Sequence, residues 1–181
     1  HFRRRRRHRI APLIRTCCMK KLLLPALAII VCGLVAFALF TNQRPAATPF
    51  SLLDLNNQPV SEKQLQGKVT LINFWYPSCP GCVIEMPKLI DTQAKFADTA
   101  YQTIAISLPF NTEAEVRAYV AENKLPFIVA IDKTGQVGEA YKVTLAPNSF
   151  LIDKQGKVIK AYLGEPDWAE LHQLIDAELK K

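Results

Sequence analysis

Cys79 and Cys82 are separated by Pro80 and Gly81 and follow the run Val69-Thr-Leu-Ile-Asn-Phe-Trp75 after a short Tyr76-Pro77-Ser78 turn. Two thiols at this spacing can do two kinds of chemistry. They can hold a soft metal ion, or they can alternate between dithiol and disulfide. A closed zinc site needs two more Cys or His ligands. Cys17, Cys18 and Cys32 lie far upstream, and the globular region offers only His172, on its last helix. No resident metal or dissociable cofactor is therefore expected, and His172 is read as a helix residue without a catalytic role. Thiol–disulfide exchange is the leading reading. A Cu(I) chaperone holding its ion between the two thiolates is the alternative, with His172 as the only further donor.

Exchange needs the thiols held in a frame, and the flanking sequence supplies one. Val69–Trp75 is too densely apolar and β-branched for a strand with one wet face, so it reads as a central strand covered on both sides. The turn at 77–81 then opens a helix running to about Phe96, with Val83, Met86, Leu89/Ile90 and Ala94/Ala97 at helical spacing. The first thiol sits at the amino end of that helix, where free N–H groups and the dipole favour a thiolate. The second lies one turn later, within reach of a mixed disulfide on the first. Cys79 is thus the expected nucleophile and Cys82 the more buried resolving thiol.

The remaining elements can be read more coarsely. Phe50–Leu55 and the turn Asn56-Asn57-Gln58-Pro59 suggest an opening strand or hairpin, and Tyr101–Leu108 a second buried strand. Thr112-x-x-Glu115 is a capping box for a helix with Val116, Tyr119 and Val120 on one face, followed by a short strand at Phe127–Ile131. Ser149–Ile152 and Val158–Leu163 flank Asp153-Lys154-Gln155-Gly156 as a hairpin. Asp167 caps a last helix with Trp168, Leu171, Leu174 and Ile175 inward. This order specifies an α/β layer with a mixed sheet. Pro147 precedes a strand, where proline commonly marks a loop boundary. Taken with the cysteine pair upstream, a cis peptide after Ala146 is expected, offering the preceding backbone to an extended substrate.

The strand with Phe74-Trp75, the Cys-x-x-Cys, the helix proline Pro87 five residues on, and Pro147 before Phe150-Leu-Ile-Asp153 together resemble the thioredoxin superfamily. The sub-pattern Cys79-x-x-Cys82-x-x-Glu85-x-Pro87, the apolar amino-terminal segment and the extra helix and strand at 112–131 are similar to the membrane-anchored TlpA/ResA-like thiol–disulfide oxidoreductases. That group includes reductants of cytochrome c maturation. The resemblance spans about Phe50 to Lys181 and implies a thioredoxin-like fold. It also implies a reductant acting on protein disulfides and re-reduced by a membrane electron donor, with Glu85 assisting proton transfer. Trp75, Tyr76, Pro80, Gly81, Ala146 and Pro147 would face the substrate. Departures from the pattern are Ser78 where Trp is common, Asn73 where thioredoxin has a buried Asp, and Asn148 where cytochrome c maturation members carry Glu or Thr. Pro80-Gly81 also reverses thioredoxin's Gly-Pro. A thiol peroxidase of related fold would need Thr three and Pro seven residues before its cysteine. Cys79 and Trp75 stand there relative to Cys82, and Tyr76 and Ile72 relative to Cys79, so that spacing fails.

The formal charge of +7 does not indicate nucleic acid. Residues 1–21 hold nine of the 23 Lys and Arg and no acid, whereas from Thr48 onward 13 basic residues face 16 acidic ones. No basic face is left to track phosphates. Leu22–Phe40 is apolar and uncharged, about 29 Å long as a helix at ~1.5 Å per residue, enough for one bilayer core. Lys20 and Lys21 before it place the amino terminus in the cytoplasm and the domain outside. The expected organisation is a basic flank at 1–21, an anchor at 22–40, a linker at 41–48 and the domain at 49–181. Cleavage at Ala36-Phe37-Ala38 would instead release it in soluble form. Met19-Lys20-Lys21 reads as a complete export start, which would leave residues 1–18 untranslated.

Overall fold

The computed structural model describes residues 29–34 and 44–181. Residues 29–34 are helical, with Ile29, Ile30, Val31 and Leu34 exposed. No helix among the described residues is long and apolar enough to cross a membrane. The rest of the expected anchor, the basic flank, Met19 and the Ala36–Ala38 site lie outside the described residues.

In the domain, five strands form one mixed sheet in the order β5-β4-β3-β6-β7: β3 (Val69–Trp75), β4 (Tyr101–Ser107), β5 (Ile128–Ile131), β6 (Asn148–Ile152) and β7 (Val158–Leu163). β3, β4 and β5 run parallel, while β6 lies antiparallel to β3 and to β7. The buried apolar run of Val69–Trp75 is thus the centre of the sheet, as its composition requires. Strands β1 (Ser51–Leu53) and β2 (Pro59–Ser61) make a separate hairpin, tied to β5 by an Asp54–Ala130 bridge.

Alternation along β3 divides the core. Val69, Leu71 and Trp75 pack with α1 (Pro80–Lys95), α2 (Glu113–Asn123) and α4 (Trp168–Leu179) through Met86, Leu89, Val116, Leu171 and Ile175. Ile72 and Phe74 face the other way, towards Phe50, Val60, Leu65 and the short α3 (Gln136–Ala140) with Val137 and Tyr141. Asn73 therefore points to the α1 side. The Thr112 capping box forms as read, Thr112 N–H donating to Glu115 Oε2 at 2.7 Å and Glu115 N–H to Thr112 Oγ1 at 3.3 Å. Two details differ from the sequence reading. The inward stripe of α1 is Cys82, Glu85, Met86, Leu89 and Thr92, and Val83 is exposed. A stripe containing a carboxylate and a hydroxyl is hidden from a search for apolar residues. Helix α3 has no counterpart in that reading, because five residues are too few to show a helical period.

Residues 44–48, expected within the linker, are pinned to the domain. Arg44 donates to Asp153 Oδ2 at 3.1 Å and to Glu178 Oε1 at 2.8 Å. Val158 N–H donates to Pro45 O, and Ala47 N–H to Gly156 O, both at 2.8 Å.

Candidate active site

Strand β3 ends at Trp75, and the chain turns through Tyr76, Pro77 and Ser78 before α1 begins. Cys79 is the helix N-cap, and its Sγ accepts the Cys82 N–H at 3.2 Å. Pro80 occupies the first helical position, where its fixed φ suits the helix and its missing N–H costs nothing. Cys79 and Cys82 form a disulfide with Cα atoms 5.2 Å apart. Both are buried, Cys82 completely and Cys79 with a small opening to solvent. The structure thus places the first sulfur where helix N–H groups can stabilise a thiolate, and the second one turn beneath it.

The loop before β6 closes the site from the other side. The Ala146–Pro147 peptide is cis, as expected. Cys79 Sγ stands 3.6 Å from the Ala146 carbonyl oxygen. Gly81 packs under the Pro147 ring: a Cβ at position 81 would lie 3.2 Å from Pro147 Cδ. Trp75 is buried against Tyr119 with ring centroids 5.1 Å apart, so its place is in the packing rather than on the substrate-facing surface. Tyr76 is half-buried and packs against Phe110, the ring centroids 4.7 Å apart and the planes tilted by 46°.

Glu85 lies one turn beyond Cys82 on the inward face of α1 and is fully buried. Asn73 Nδ2 donates to its Oε1 at 2.7 Å and to Ser149 Oγ at 3.0 Å. Burial pushes the Glu85 carboxyl up to about 7; the Asn73 hydrogen bond opposes this and the Glu165 charge adds to it. Glu165 itself is paired with Lys88. A carboxyl of this kind can take and return a proton near neutral pH. His172 is elsewhere, its ring nitrogens against Thr92 Oγ1 at 2.9 Å and Lys95 Nζ at 3.2 Å. Among the described residues no group of three or more His, Cys, Asp or Glu could hold a metal ion.

Several residues at the site carry no sequence signal. Asn111 Oδ1 accepts from Ser78 N–H at 3.2 Å and Ser78 Oγ–H at 2.8 Å, tying the turn before Cys79 to the β4–α2 loop. Ser78 thus has a partner in its own right where a Trp is common. A cavity of about 450 Å³ opens beside the disulfide, lined by Tyr76, Leu108, Phe110, Gly138, Leu145 and Ala146 among others. Phe110 and Leu145, which line this cavity, are 68% and 65% exposed, and Ile84, two residues past Cys82, is 66% exposed. A larger cavity, about 540 Å³, lies among Lys68, Tyr101, Gln102 and Phe127, at the opposite end of the strands from the disulfide.

The redoxin family model matches residues 41–176, the whole of the described domain apart from its last turn. The chain belongs to the redoxin family. Among this redoxin's relatives is the thiol-disulfide oxidoreductase ResA of Bacillus thuringiensis subsp. konkukian, 34% identical over 81% of this chain and 90% of its own length. A ResA of Bacillus cereus is 35% identical over 76% of this chain and 84% of its own length. A solution structure of a putative thioredoxin from Neisseria meningitidis superimposes with a TM-score of 0.70 at 45% identity, covering 77% of this chain and 93% of that one. A putative thiol:disulfide interchange protein DsbE from Chlorobium tepidum gives 0.70 at 31%, covering 76% and 98%. This redoxin is a thiol–disulfide oxidoreductase with a thioredoxin-like fold, and Cys79 and Cys82 form a disulfide within it.

Proposed function

We propose that this redoxin works outside the cytoplasm as a reductant of protein disulfides, in cytochrome c maturation or in general disulfide reduction. The observation that carries the exchange chemistry is the placement of Cys79 at a helix amino end, against the Pro147 loop, with Glu85 buried behind Cys82. The direction of electron flow rests on the likeness to the TlpA/ResA-like reductants, because a sulfur at a helix end serves reductants and oxidants alike. In the dithiol state, the Cys79 thiolate attacks a substrate disulfide, forming a mixed disulfide and expelling one substrate thiolate. Cys82 then loses its proton to Glu85, and its thiolate attacks Cys79 Sγ. The second substrate thiolate leaves and the Cys79–Cys82 disulfide remains. A dithiol donor at the membrane returns two electrons, and Glu85 gives its proton back to Cys82. Ala146 and Pro147 position the extended substrate, with Gly81 and Pro80 forming the floor beside them. The apolar segment at 22–40 anchors the domain on the exported side of the membrane.

The reduction potential of the Cys79–Cys82 pair tests the direction. A value at or below about −220 mV fits a reductant, and one near about −120 mV fits an oxidant that introduces disulfides.

A further inference from the structure

The buried hydrogen bonds around Glu85 leave two atoms without a partner, Asn73 Oδ1 and Glu85 Oε2. Native interiors rarely leave such atoms unpaired, since each costs its lost hydration. Here the unpaired atoms follow a pattern. Asn73 uses both hydrogens of Nδ2, one towards Glu85 Oε1 at 2.7 Å and one towards Ser149 Oγ at 3.0 Å, while its oxygen is idle. This is the bonding suited to an ionised carboxylate, which only accepts.

A proton on Glu85 changes what the site requires. The carboxylic acid must donate, and an NH₂ group facing it is the wrong partner. A half-turn of the Asn73 amide about its last side-chain bond exchanges oxygen for nitrogen. Oδ1 then occupies the position between Glu85 and Ser149 and can accept from both, because the serine hydroxyl is free to rotate. Each orientation makes two hydrogen bonds and leaves one amide atom idle. We propose that Asn73 is a positioning residue whose amide turns over with the protonation of Glu85, with Ser149 reversing its hydroxyl in step, so that the carboxyl keeps a matched partner in both states.

The fold fixes the geometry this needs. Asn73 and Ser149 are directly opposed across the antiparallel β3–β6 ladder, and Ser149 is two residues beyond Pro147. Asn73 and Ser149 are fully buried, so no solvent competes for the amide. One titratable group acts on Glu85: Glu165, from the β7–α4 loop, itself paired with Lys88. Cys82, one helical turn before it, is held in the disulfide and carries no proton in the oxidised chain. An aspartate at position 73 would add a second buried carboxyl and split the titration between the two, whereas the amide leaves Glu85 to titrate alone.

The inference rests on the reading of Glu85 as the group that exchanges a proton with Cys82, and its test is separate from activity. In the intact oxidised chain, the Asn73 side-chain amide protons and the Glu85 carboxyl carbon are followed by NMR between pH 5 and 9. The two signals should move with one midpoint near 7, and the amide response should vanish in Glu85→Gln. Asn73→Leu should raise the Glu85 midpoint by between about half and one pH unit, because the charged hydrogen bond lost by the carboxylate is stronger than the neutral one lost by the acid. Ser149→Ala removes a partner from both orientations alike and should leave the midpoint within a few tenths. Amide signals indifferent to the Glu85 titration overturn the proposal, as does a Ser149→Ala shift as large as that of Asn73→Leu. Loss of disulfide reductase activity with the coupled titration intact would count against the function and leave the turning amide standing.

Discussion

The Cys79 sulfur and the Ala146 carbonyl oxygen lie 3.6 Å apart, although 67 residues separate them in sequence. That contact joins the two pieces a disulfide exchanger needs: the sulfur at a helix start, and the loop backbone that would hold the incoming chain. Because β6 runs antiparallel beside β3, the residue entering β6 arrives at the end of the sheet where β3 delivers the cysteines. The sheet order thus assembles the site, and its rigidity keeps the sulfur and the loop in register.

Gly81 tests that register. Ala at position 81 would bring a methyl group to 3.2 Å from Pro147 Cδ, tighter than ordinary van der Waals contact. The better helix propensity of Ala offsets part of the strain, so the melting temperature should change little. Misplacement of the loop should instead lower kcat/KM for a peptide disulfide by at least about fivefold. Steady-state reductase assays against thermal melts separate the two effects; an unchanged rate would show that the loop has slack.

The Glu85 carboxyl gives stability a defined pH dependence. Its value is raised to about 7 in the folded chain, against an ordinary 4.5. Folding therefore binds a proton between those values, and the favourable contribution present below about pH 4.5 is lost as pH rises through 7. Glu85→Gln removes this dependence. The variant should gain relative to the parent by up to about 3 kcal/mol between pH 5 and 8 in urea unfolding, while exchange slows at neutral pH. Parallel stability curves for the two proteins would mean that Glu85 titrates as an exposed carboxyl does.

Arg44 holds the start of the domain through two nearly buried carboxylates, Asp153 and Glu178. Its hydrogen bond keeps the Glu178 carboxyl below the usual range, with Lys181 adding to the effect. Arg44→Ala should cost about 1 kcal/mol at pH 7, or roughly 3 to 5 °C in Tm for a domain of this size. A depressed carboxyl contributes above its unfolded value and loses that contribution as pH falls through the folded one. The deficit of Arg44→Ala should therefore shrink towards pH 3. Calorimetry at both pH values reads this directly.

Asn111 should matter to the thiol turn without touching sulfur. Asn111→Ala frees Ser78 N–H and Oγ–H, and both sit at the surface where water replaces the partner. Stability should fall by less than about 1 kcal/mol. Faster backbone hydrogen exchange at Ser78 and Cys79 is the expected signature, and unaltered protection there would show that the Tyr76–Phe110 contact alone holds the turn.

The parts of this site written in local sequence are legible there, and those made by tertiary pairing are not. Cys79, Cys82 and Pro80 share one turn of helix, and Pro147 announces its loop by residue type alone. The β3 run shows its burial because both of its faces are apolar. Glu85 can be placed beside the cysteines through family likeness, yet its partner Asn73 comes from the strand before them, and Ser149, which shares that amide from 76 residues further on, looks like any strand serine. Asn111 and Phe110 sit in a loop with no period, and their contacts with Ser78 and Tyr76 exist only once β4 lies beside β3. Arg44 reads as linker because its two acids come from the end of β6 and the last helix.

The central claim is that Cys79 attacks substrate disulfides and Cys82 releases the product. Cys82→Ser in the intact, reduced chain, mixed with a disulfide-bonded protein, should accumulate a mixed disulfide that peptide mass mapping places at Cys79. Cys79→Ser should accumulate none there or at Cys82. An adduct carried by Cys82, or by neither residue of the pair, would contradict the account.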